Sequence, residues 1–237
     1  MIEVDAPAKL TLSLRVTGVR DDGYHLIDAE MVALDFGDRL EIEAEGDGLE
    51  LVGADHAIDV GADNLVRRAL RLVDRRAFVR VHKRIPAGAG LGGGSADAAA
   101  VLRWAGYREV VGAAAIGADV AFCLVGGRAR VTGIGEVVEP LPFVARTYTL
   151  VTPTFGCSTP AVYRMWDAMG GPSGPHGNDL EPAALAVEPR LADVRDALAG
   201  ASGQQPRLAG SGSTWFVEGD HPGTGRRVVH TLRALQG

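Results

Sequence analysis

The first hydrophobic pattern in the chain has a period of two residues. Leucine or valine occupies every second position from Leu10 to Val16, and polar residues, including Lys9 and Thr11, occupy the positions between them. Alternation of this kind is typical of a strand with one buried face and one solvated face. The pattern therefore predicts a half-buried strand that carries Lys9 and Thr11 together on its polar face.

The following segments alternate irregularly between strand and helix patterns. Residues 20–25 are turn-like, and residues 31–46 predict two short strands around a turn at Gly37 and Asp38. A helix is predicted over residues 64–74, with Asn64 as its N-cap, and a strand over residues 77–85. A second short helix at residues 109–115 and a strand at residues 128–133 follow. This irregular order favours an α+β fold with two subdomains.

A domain boundary is expected near residues 141–149, where Pro140 and Pro142 precede a new strand, and it divides the chain into residues 1–145 and 146–237. The second part predicts helices at residues 160–169 and 191–198, then a glycine turn that leads into a strand at residues 213–218. Residues 225–235, GRRVVHTLRAL, have the pattern of an amphipathic helix. The sequence thus predicts a helix at its end.

The segment from Pro86 to Asp97 reads PAGAGLGGGSAD, and five of the seven residues 88–94 are glycine. Ordering glycine costs about 0.5 to 1 kcal/mol more than ordering alanine, so the loop is hard to explain as a mere connection. A helix is expected to follow it, with Ser95 as cap and Asp97 in the first turn. Such a helix start presents N–H groups to an anion, most often phosphate. The expected ligand is the phosphate chain of a nucleotide.

The glycine loop has other interpretations. Gly88, Gly90 and Gly93 satisfy the G-x-G-x-x-G fingerprint of dinucleotide-binding folds. That fingerprint should directly follow a hydrophobic strand, but here Pro86 separates the glycines from the strand, and the strand is strongly basic. A Walker P-loop is excluded because no Lys-Ser or Lys-Thr follows Gly94. A surface loop without a ligand remains an alternative.

Composition narrows the class of protein. The net charge of -6 and the pI near 5.5 argue against a nucleic-acid-binding surface. No apolar run reaches membrane-spanning length and the N-terminus has no signal-peptide pattern, so a cytoplasmic protein without a membrane partner is expected. Cys123 and Cys157 are expected to be buried thiols in a reducing compartment.

Six motifs fall in order along nearly the whole chain. They are PAKLTLSL from Pro7, DGYH from Asp22, NLVRRA from Asn64, KRIPAGAGLGGGSADAA from Lys83, GADVAFCLVGG from Gly117 and LAGSGSTWF from Leu208. Together they resemble the GHMP kinase superfamily. DGYH and GADVAFCLVGG are similar to the branch of that superfamily whose substrate is a cytidine-diphosphate-linked methylerythritol.

The resemblance implies a fold and an activity. The fold is that of the GHMP kinases, with a ribosomal-protein-S5-like N-terminal domain, a ferredoxin-like C-terminal domain and the active site between them. The activity is ATP-dependent phosphorylation of the 2-hydroxyl of the methylerythritol unit, on the non-mevalonate route to isoprenoids. ATP and Mg²⁺ are the implied cofactors, a nucleotide-linked small molecule is the implied partner, and a monomer or weak homodimer is expected.

The resemblance also implies roles for individual residues. Asp119 matches the catalytic base, and Lys9 matches the lysine that holds this base ionised. The residues implied to wrap the triphosphate are Pro86, Ala87, Gly88, Ala89, Gly90, Leu91, Gly92, Gly93, Gly94, Ser95 and Ala96, with Ser95 also a candidate magnesium ligand, and Asn64 and Lys83 match positions near the adenine. The implied substrate-side residues are Thr11, Tyr24, His25, Thr159 and Tyr163, with Tyr24 and Tyr163 on the two faces of the cytosine and His25 at its edge. Gly210 to Thr214 resembles the third superfamily motif.

Each of these residues also has a purely structural interpretation. Lys9 and Lys83 could be exposed strand lysines, and Asp119 and Asn64 could be helix N-caps. Tyr24, His25 and Tyr163 could be packing residues.

The sequence also departs from the family pattern. Thr11 stands in place of an asparagine and Ala121 in place of a proline, and the chain is shorter between Asp97 and Asp119 and in its C-terminal part. Two further functions therefore stay open: another GHMP kinase with a homoserine, sugar or mevalonate-type acceptor, and a module that binds ATP without turnover.

Overall fold

The computed structural model describes residues 1–53 and 58–234. It begins with a long antiparallel hairpin of β1 (Ile2–Val19) and β2 (His25–Glu43). The predicted first strand is confirmed, but residues 8–12 are buried on both faces. The glycine loop lies along β1: the N–H of Lys9 donates to the carbonyl of Leu91 at 3.0 Å, and a Cβ atom at Gly92 would lie 2.8 Å from the Lys9 side chain.

The predicted turn at Gly37 and Asp38 is wrong, because β2 runs through both residues without a break. Gly37 lies opposite Pro7 in the hairpin. A Cβ atom at Gly37 would lie 2.3 Å from the carbonyl oxygen of Ala6 and 2.7 Å from the Cα of Pro7. The glycine therefore permits a close approach of two strands.

The hairpin belongs to a six-stranded sheet, in which β1 and β2 are joined by β3 (Gly48–Val52), β4 (Phe78–His82), β5 (Arg128–Gly133) and β6 (Val137–Pro140). The strand order is β3-β4-β2-β5-β6, and β1 also pairs with β2. The long β2 strand can hold β4 along residues 39–43 and β5 along residues 27–32.

Helices α1 (Leu65–Leu72), α2 (Gly93–Trp104), α3 (Val110–Ile116) and α4 (Ala118–Val125) accompany this sheet. Helix α2 packs against β1 and β2 on one side and against α1 and α4 on the other. Its buried face is largely alanine, namely Ala96, Ala98, Ala99 and Ala100, which allows a close approach to its neighbours. The glycine loop enters this central helix and is thereby anchored in the core.

The second sheet contains β7 (Thr147–Val151), β8 (Arg207–Leu208), β9 (Trp215–Glu218) and β10 (Arg227–His230). Helices α5 (Thr159–Ala168), α6 (Glu181–Val187) and α7 (Leu191–Ser202) and a 3-10 turn at Pro175–Gly177 lie between β7 and β8 in the chain. The sheet is antiparallel with the order β10-β7-β9-β8, which is fourth, first, third, second in chain order. This is the ferredoxin-like strand order, with only residues 219–226 where a second crossover helix would lie. The predicted α+β class and the ferredoxin-like second sheet are confirmed.

The predicted terminal amphipathic helix is wrong. The segment forms β10, in which Val229 is buried and lies opposite Tyr148 of β7. After the strand, the N–H of Leu232 donates to the carbonyl of Ala33 in β2 at 2.8 Å. Backbone pairing with two strands distant in sequence outweighs the local helical pattern. Leu235, the last residue of the predicted helix, lies outside the described residues.

Three further expectations concern the whole chain. Cys123 and Cys157 are free and buried as predicted, and burial raises the pKa of Cys123 to about 12. Within the described ranges, no helix combines the length and apolar character needed to cross a bilayer. The domain boundary near residue 145 stays a prediction.

Candidate active site

A cavity of about 690 Å³ lies between the glycine loop, strand β1 and helices α4 and α5. The predicted site residues that line it are Lys9, Thr11, His25, Asn64, Lys83, Asp119, Thr159, Tyr163 and residues 86–95. The fold thus brings together positions from both halves of the chain. Two predicted site residues, Tyr24 and Ala96, are outside this lining.

The start of helix α2 differs from the prediction. The N-cap is Gly92, with φ +72°, and the first helical residue is Gly93, so Ser95 is the third residue of the helix and Asp97 lies beyond its first turn. The N–H of Ala96 donates to the carbonyl of Gly92 at 2.8 Å, and its side chain is buried. Ala96 therefore has neither a free N–H nor a side chain at the cavity.

The carbonyl groups of the glycine loop are turned into the protein. The carbonyl of Gly88 accepts from the N–H groups of Cys157 and Ser213 at 3.1 Å, and that of Ala89 accepts from Thr214 at 3.1 Å. In the described part of the chain, no backbone N–H from residue 87 to residue 95 has a hydrogen-bond acceptor. A row of donors without acceptors at a helix start fits a polyphosphate.

Gly90 is the position where the loop meets the third motif, residues 210–214. Its φ is +75°, and a Cβ atom would lie 2.4 Å from the carbonyl oxygen of Ala209 and 2.6 Å from that of Gly212. Both contacts are with backbone, so neither can be relieved by a side-chain rotation. Only glycine fits at this position without displacing one of the two loops.

Lys9 and Asp119 form the ion pair at the centre of the cavity. The ammonium Nζ of Lys9 lies 3.2 Å from Oδ2 of Asp119 and donates to Oγ1 of Thr11 at 3.0 Å. Lys9 is only 5% exposed, whereas the carboxylate of Asp119 is 32% exposed and faces the cavity. The interpretation of Lys9 as a solvated lysine is therefore wrong. Asp119 lies in the first turn of α4 behind the N-cap Gly117, where the helix dipole stabilises its negative charge.

The second lysine, Lys83, is also buried. Its ammonium contacts the carboxylates of Asp38 and Asp97, the latter at 2.7 Å. Asp38 also accepts from the N–H groups of Arg84 and Ile85, directly before the glycine loop, and Asp97 is the fifth residue of α2, the helix that follows that loop. The Asp38–Lys83–Asp97 triad therefore fixes both ends of the loop. The predicted contact of Lys83 with adenine stays a prediction, and its ammonium is already paired twice.

Asp97 is the member of this triad whose charged form is disfavoured. Burial raises the pKa of its carboxyl to about 7, and the negative charge of Asp38 adds to the rise while Lys83 opposes it. The Oδ1 atom of Asp97 is buried with no hydrogen-bond partner in the described part of the chain. For Lys83, burial lowers the pKa, but the two carboxylates outweigh burial and the net shift is upward. The triad thus retains its lysine charge while Asp97 gains a proton at an unusually high pH.

This shift predicts a pH dependence of stability. The folded protein holds a proton on Asp97 that the unfolded chain loses near pH 4, so the stabilisation is complete below that pH and is lost as pH rises through about 7. Relative to Asp97→Asn, the wild type is expected to lose about 1 kcal/mol per pH unit between pH 5 and pH 7. Urea unfolding of both proteins at pH 5, 6, 7 and 8 measures the difference. Equal pH slopes for the two proteins would contradict the assignment.

Aromatic residues form the other end of the cavity. The ring centroid of His25 lies 4.6 Å from that of Tyr163 at 38° and 5.6 Å from that of Trp166, edge to face. Its Nε2 atom lies 2.8 Å from Oδ1 of Asp167. Burial raises the pKa of Tyr163, with a further contribution from Asp119, so its ring stays neutral. Tyr24 is 60% exposed at the hairpin turn, and its contact with cytosine stays a prediction.

Two further predicted residues have structural partners in the cavity wall. Asn64 caps α1, since its Oδ1 accepts from the N–H of Val66 at 2.9 Å, which confirms the capping interpretation. Thr159, the first residue of α5, shares a hydrogen bond of 2.8 Å with Ser211 of the third motif. This contact joins the substrate-side helix to the loop that supports Gly90.

Sequence reasoning missed several residues of the site. Asp38 was predicted only as a turn residue, and nothing in its spacing from Lys83 and Asp97 indicates a triad. Trp166 and Asp167, the neighbours of His25, lie three and four residues after Tyr163 in α5. This spacing places them on the same helix face as Tyr163, and it is the signal by which the sequence could have indicated them. No group of three or more His, Cys, Asp or Glu side chains that could hold a metal occurs in residues 1–53 and 58–234.

Comparisons with known proteins assign the chain to a family. The family model for the GHMP kinases N terminal domain matches residues 64–127. The 4-diphosphocytidyl-2-C-methyl-D-erythritol kinase of Paracoccus denitrificans is 41% identical over an alignment of 233 positions including gaps, which covers 89% of this chain and 84% of that protein. The enzyme of the same name from Ruegeria pomeroyi is 38% identical over 269 residues, covering 99% of this chain and 94% of that protein. That alignment spans 269 positions, more than the 237 residues of this chain, and where the chain is shorter than its relatives stays a prediction.

Solved structures show the same relationship. A crystal structure of 4-(cytidine 5'-diphospho)-2C-methyl-D-erythritol kinase superposes with a TM-score of 0.77 at 30% identity, over 97% of this chain and 99% of that chain. A homoserine kinase from Cytophaga hutchinsonii shares the fold at a TM-score of 0.65 and 20% identity, over 100% of this chain and 96% of that chain. The chain belongs to the 4-diphosphocytidyl-2-C-methyl-D-erythritol kinase family of GHMP kinases.

Proposed function

We infer that this protein transfers the γ-phosphoryl group of ATP to the 2-hydroxyl of 4-diphosphocytidyl-2-C-methyl-D-erythritol, in the non-mevalonate route to isoprenoids. The observation that carries the inference is the Lys9–Asp119 pair, 3.2 Å apart, in one cavity with the glycine loop and the His25–Tyr163 pair. The names and high coverage of the relatives support the same activity.

The geometry of the loop suits phosphoryl transfer. The transition state is loose, so catalysis depends on positioning and charge stabilisation more than on a strong base. The N–H groups of residues 87–95 bind the phosphate oxygens, and the Asp38–Lys83–Asp97 triad keeps the two ends of the loop in place. Mg²⁺ would neutralise phosphate charge when bound. We expect the hydroxyl of Ser95, at the start of α2, to be a ligand of this ion.

Lys9 and Asp119 act on the acceptor hydroxyl. The hydroxyl oxygen forms a bond to the γ-phosphorus, the bond between that phosphorus and the β,γ-bridging oxygen breaks, and ADP leaves. The hydroxyl proton passes to the Asp119 carboxylate late in the transfer, so a carboxylate suffices as base. Lys9 orients Asp119 and stabilises the charge that develops on the oxygen.

The aromatic end of the cavity suits cytosine. A base offers a π-face for stacking on Tyr163 and an edge for a hydrogen bond with the His25 imidazole, whose orientation Asp167 fixes. Thr11 offers one hydroxyl where the family pattern has an amide, and that hydroxyl already accepts from Lys9. We therefore expect a weaker contact with the substrate at Thr11.

The alternative functions have less support. A homoserine kinase shares the fold at only 20% identity, which says nothing about the acceptor. An ATP-binding module without turnover would not need a buried lysine paired with a cavity-facing carboxylate. Mg²⁺ as cofactor, a cytoplasmic location, and a monomer or weak homodimer complete the proposal, and the net charge of -6 supports the absence of a nucleic-acid partner.

A coupled ADP-release assay across acceptors tests the proposal. We expect kcat/KM for the diphosphocytidyl substrate to exceed that for homoserine, galactose and mevalonate by about 100-fold or more, because polar groups that face the cytosine stay unpaired with the other acceptors. Comparable rates with one of those acceptors would contradict the substrate assignment. ATP binding without ADP release for any acceptor would favour the module.

Matched histidine variants sharpen the same assay. His25→Ala is expected to raise KM for the cytidine substrate about tenfold, since the edge contact with cytosine is lost and Tyr163 loses the ring packed beside it. His230→Ala is the control, because His230 pairs with Asp35 at 2.7 Å as His25 pairs with Asp167 at 2.8 Å, but it does not line the cavity. A similar rise in KM in both variants would contradict a specific role of His25 in binding cytosine.

A further inference from the structure

A second cavity, of about 370 Å³, lies on the other side of the start of the glycine loop. Its walls come from both sheets: Phe36 of β2, Arg84 after β4, Leu150 and Thr152 at the end of β7, and Arg226 and Arg227 at the start of β10. Pro86, the first residue of the loop, lines both cavities. Nothing in the proposed kinase reaction uses this second cavity.

Three arginines, Arg84, Arg226 and Arg227, line this cavity, and no acidic residue does. Within residues 1–53 and 58–234, none of the three arginines forms a salt bridge, whereas Arg80, Arg128 and Arg130 on the neighbouring strands all do. The three arginines thus have no carboxylate partner among these residues, and their N–H groups are available to an anion.

Phe36 holds two of these arginines in position. It is almost fully buried, and its ring centroid lies 4.2 Å from the Cζ atom of Arg227 and 5.6 Å from that of Arg84. Guanidinium groups over an aromatic ring keep their N–H edges available for hydrogen bonds. The contact with the buried ring restricts the two exposed side chains, which lowers the entropic cost of binding.

We propose that the Arg84–Arg226–Arg227 cavity is a binding site for a diphosphate group, separate from the catalytic cavity. Guanidinium groups bind phosphate oxygens in bidentate pairs, and three of them match the charge of a diphosphate better than that of a single phosphate. The volume of about 370 Å³ leaves room for both phosphate groups. The diphosphate can be free or part of a small organic molecule, because the arginines would bind the same phosphate oxygens in both cases.

The test is isothermal titration of the full chain with inorganic pyrophosphate in the presence of a saturating non-hydrolysable ATP analogue, so that the glycine loop is occupied. We expect one further equivalent to bind, and Arg226→Gln with Arg227→Gln to weaken this binding about tenfold or more, because charge-assisted hydrogen bonds are lost. Arg233→Gln is the matched control, since Arg233 covers the ring of Phe143 at 4.3 Å but lines neither cavity. Its pyrophosphate affinity is expected to equal that of the wild type.

The outcomes separate the alternatives. A lack of pyrophosphate binding to the wild type, or binding that is unchanged by the double variant, would overturn the proposal. Equal affinity for orthophosphate and pyrophosphate would overturn the diphosphate assignment. If an alkyl diphosphate binds more tightly than pyrophosphate, the site is supported and its ligand is an organic diphosphate. If the alkyl diphosphate binds more weakly, the ligand is the free anion. The double variant should keep its basal kinase activity, so failure of the proposed function and failure of this site give different results.

Discussion

Asp119→Asn is expected to reduce turnover by about 10² to 10⁴ fold while ATP binding changes by no more than about 0.5 kcal/mol. The carboxamide keeps the size of the side chain but cannot accept the hydroxyl proton. The contacts that we assign to the triphosphate come from the loop N–H groups of residues 87–95, which this change does not touch. Steady-state ADP release gives kcat, and titration with a non-hydrolysable ATP analogue gives the affinity.

Asp28→Asn is the control for this experiment. Asp28 pairs with Arg130 at 2.8 Å, and its carboxylate is 38% exposed, close to the 32% of Asp119, but it does not line the catalytic cavity. The same chemical change at Asp28 should leave turnover within about twofold of the wild type. If Asp119→Asn retains wild-type turnover, Asp119 is not the base. If it loses ATP affinity and turnover together, the carboxylate has a structural role.

The part of the fold that was predicted correctly depends on local patterns. The alternation from Leu10 to Val16 is a property of neighbouring residues, and so is the Asn64 cap of α1. The glycine loop followed by a helix was also correct, although the cap is Gly92 and not Ser95. A glycine in the left-handed region can cap a helix without a side chain, and that geometry cannot be read from a preference for serine.

The errors arose where distant segments decide the local structure. GRRVVHTLRAL has a helical pattern, yet Val229 lies in a strand because β7 has an edge for it to join. Gly37 resembles a turn residue, but its conformation follows from the approach of Ala6 and Pro7 in the partner strand. Neither partner can be identified from the local sequence.

The site shows the same division. The ordered motifs identified Lys9, His25 and Asp119, the family resemblance added Tyr163, and the structure brings all four to one cavity. The motifs did not identify the partners of Lys83, because Asp38 and Asp97 stand 45 residues before it and 14 residues after it. Their meeting depends on the register of β2 and β4 and on the position of α2, which no single motif contains.

Gly90→Ala is expected to lower kcat/KM for ATP by about 100-fold and to destabilise the fold by about 2 to 5 kcal/mol. The positive φ alone costs about 1 to 2 kcal/mol in a residue with a side chain, and the new Cβ would meet two backbone carbonyls at 2.4 and 2.6 Å. One of the two loops must move, at a further cost of about 1 to 3 kcal/mol. A displacement of about 1 Å in a positioning loop is enough to cost about 10² in rate.

Gly106→Ala separates the two contributions. Gly106 has a φ of +76°, nearly equal to the +75° of Gly90, but a Cβ atom at Gly106 meets nothing within 4 Å. It should therefore show the cost of the backbone conformation alone, about 1 to 2 kcal/mol, with kcat/KM unchanged within about twofold. Urea unfolding and ATP kinetics on both variants give the comparison. If the two variants lose stability and activity equally, the backbone conformation alone requires glycine at residue 90. If Gly90→Ala loses more than Gly106→Ala, the difference is due to the contact between the glycine loop and residues 209–212.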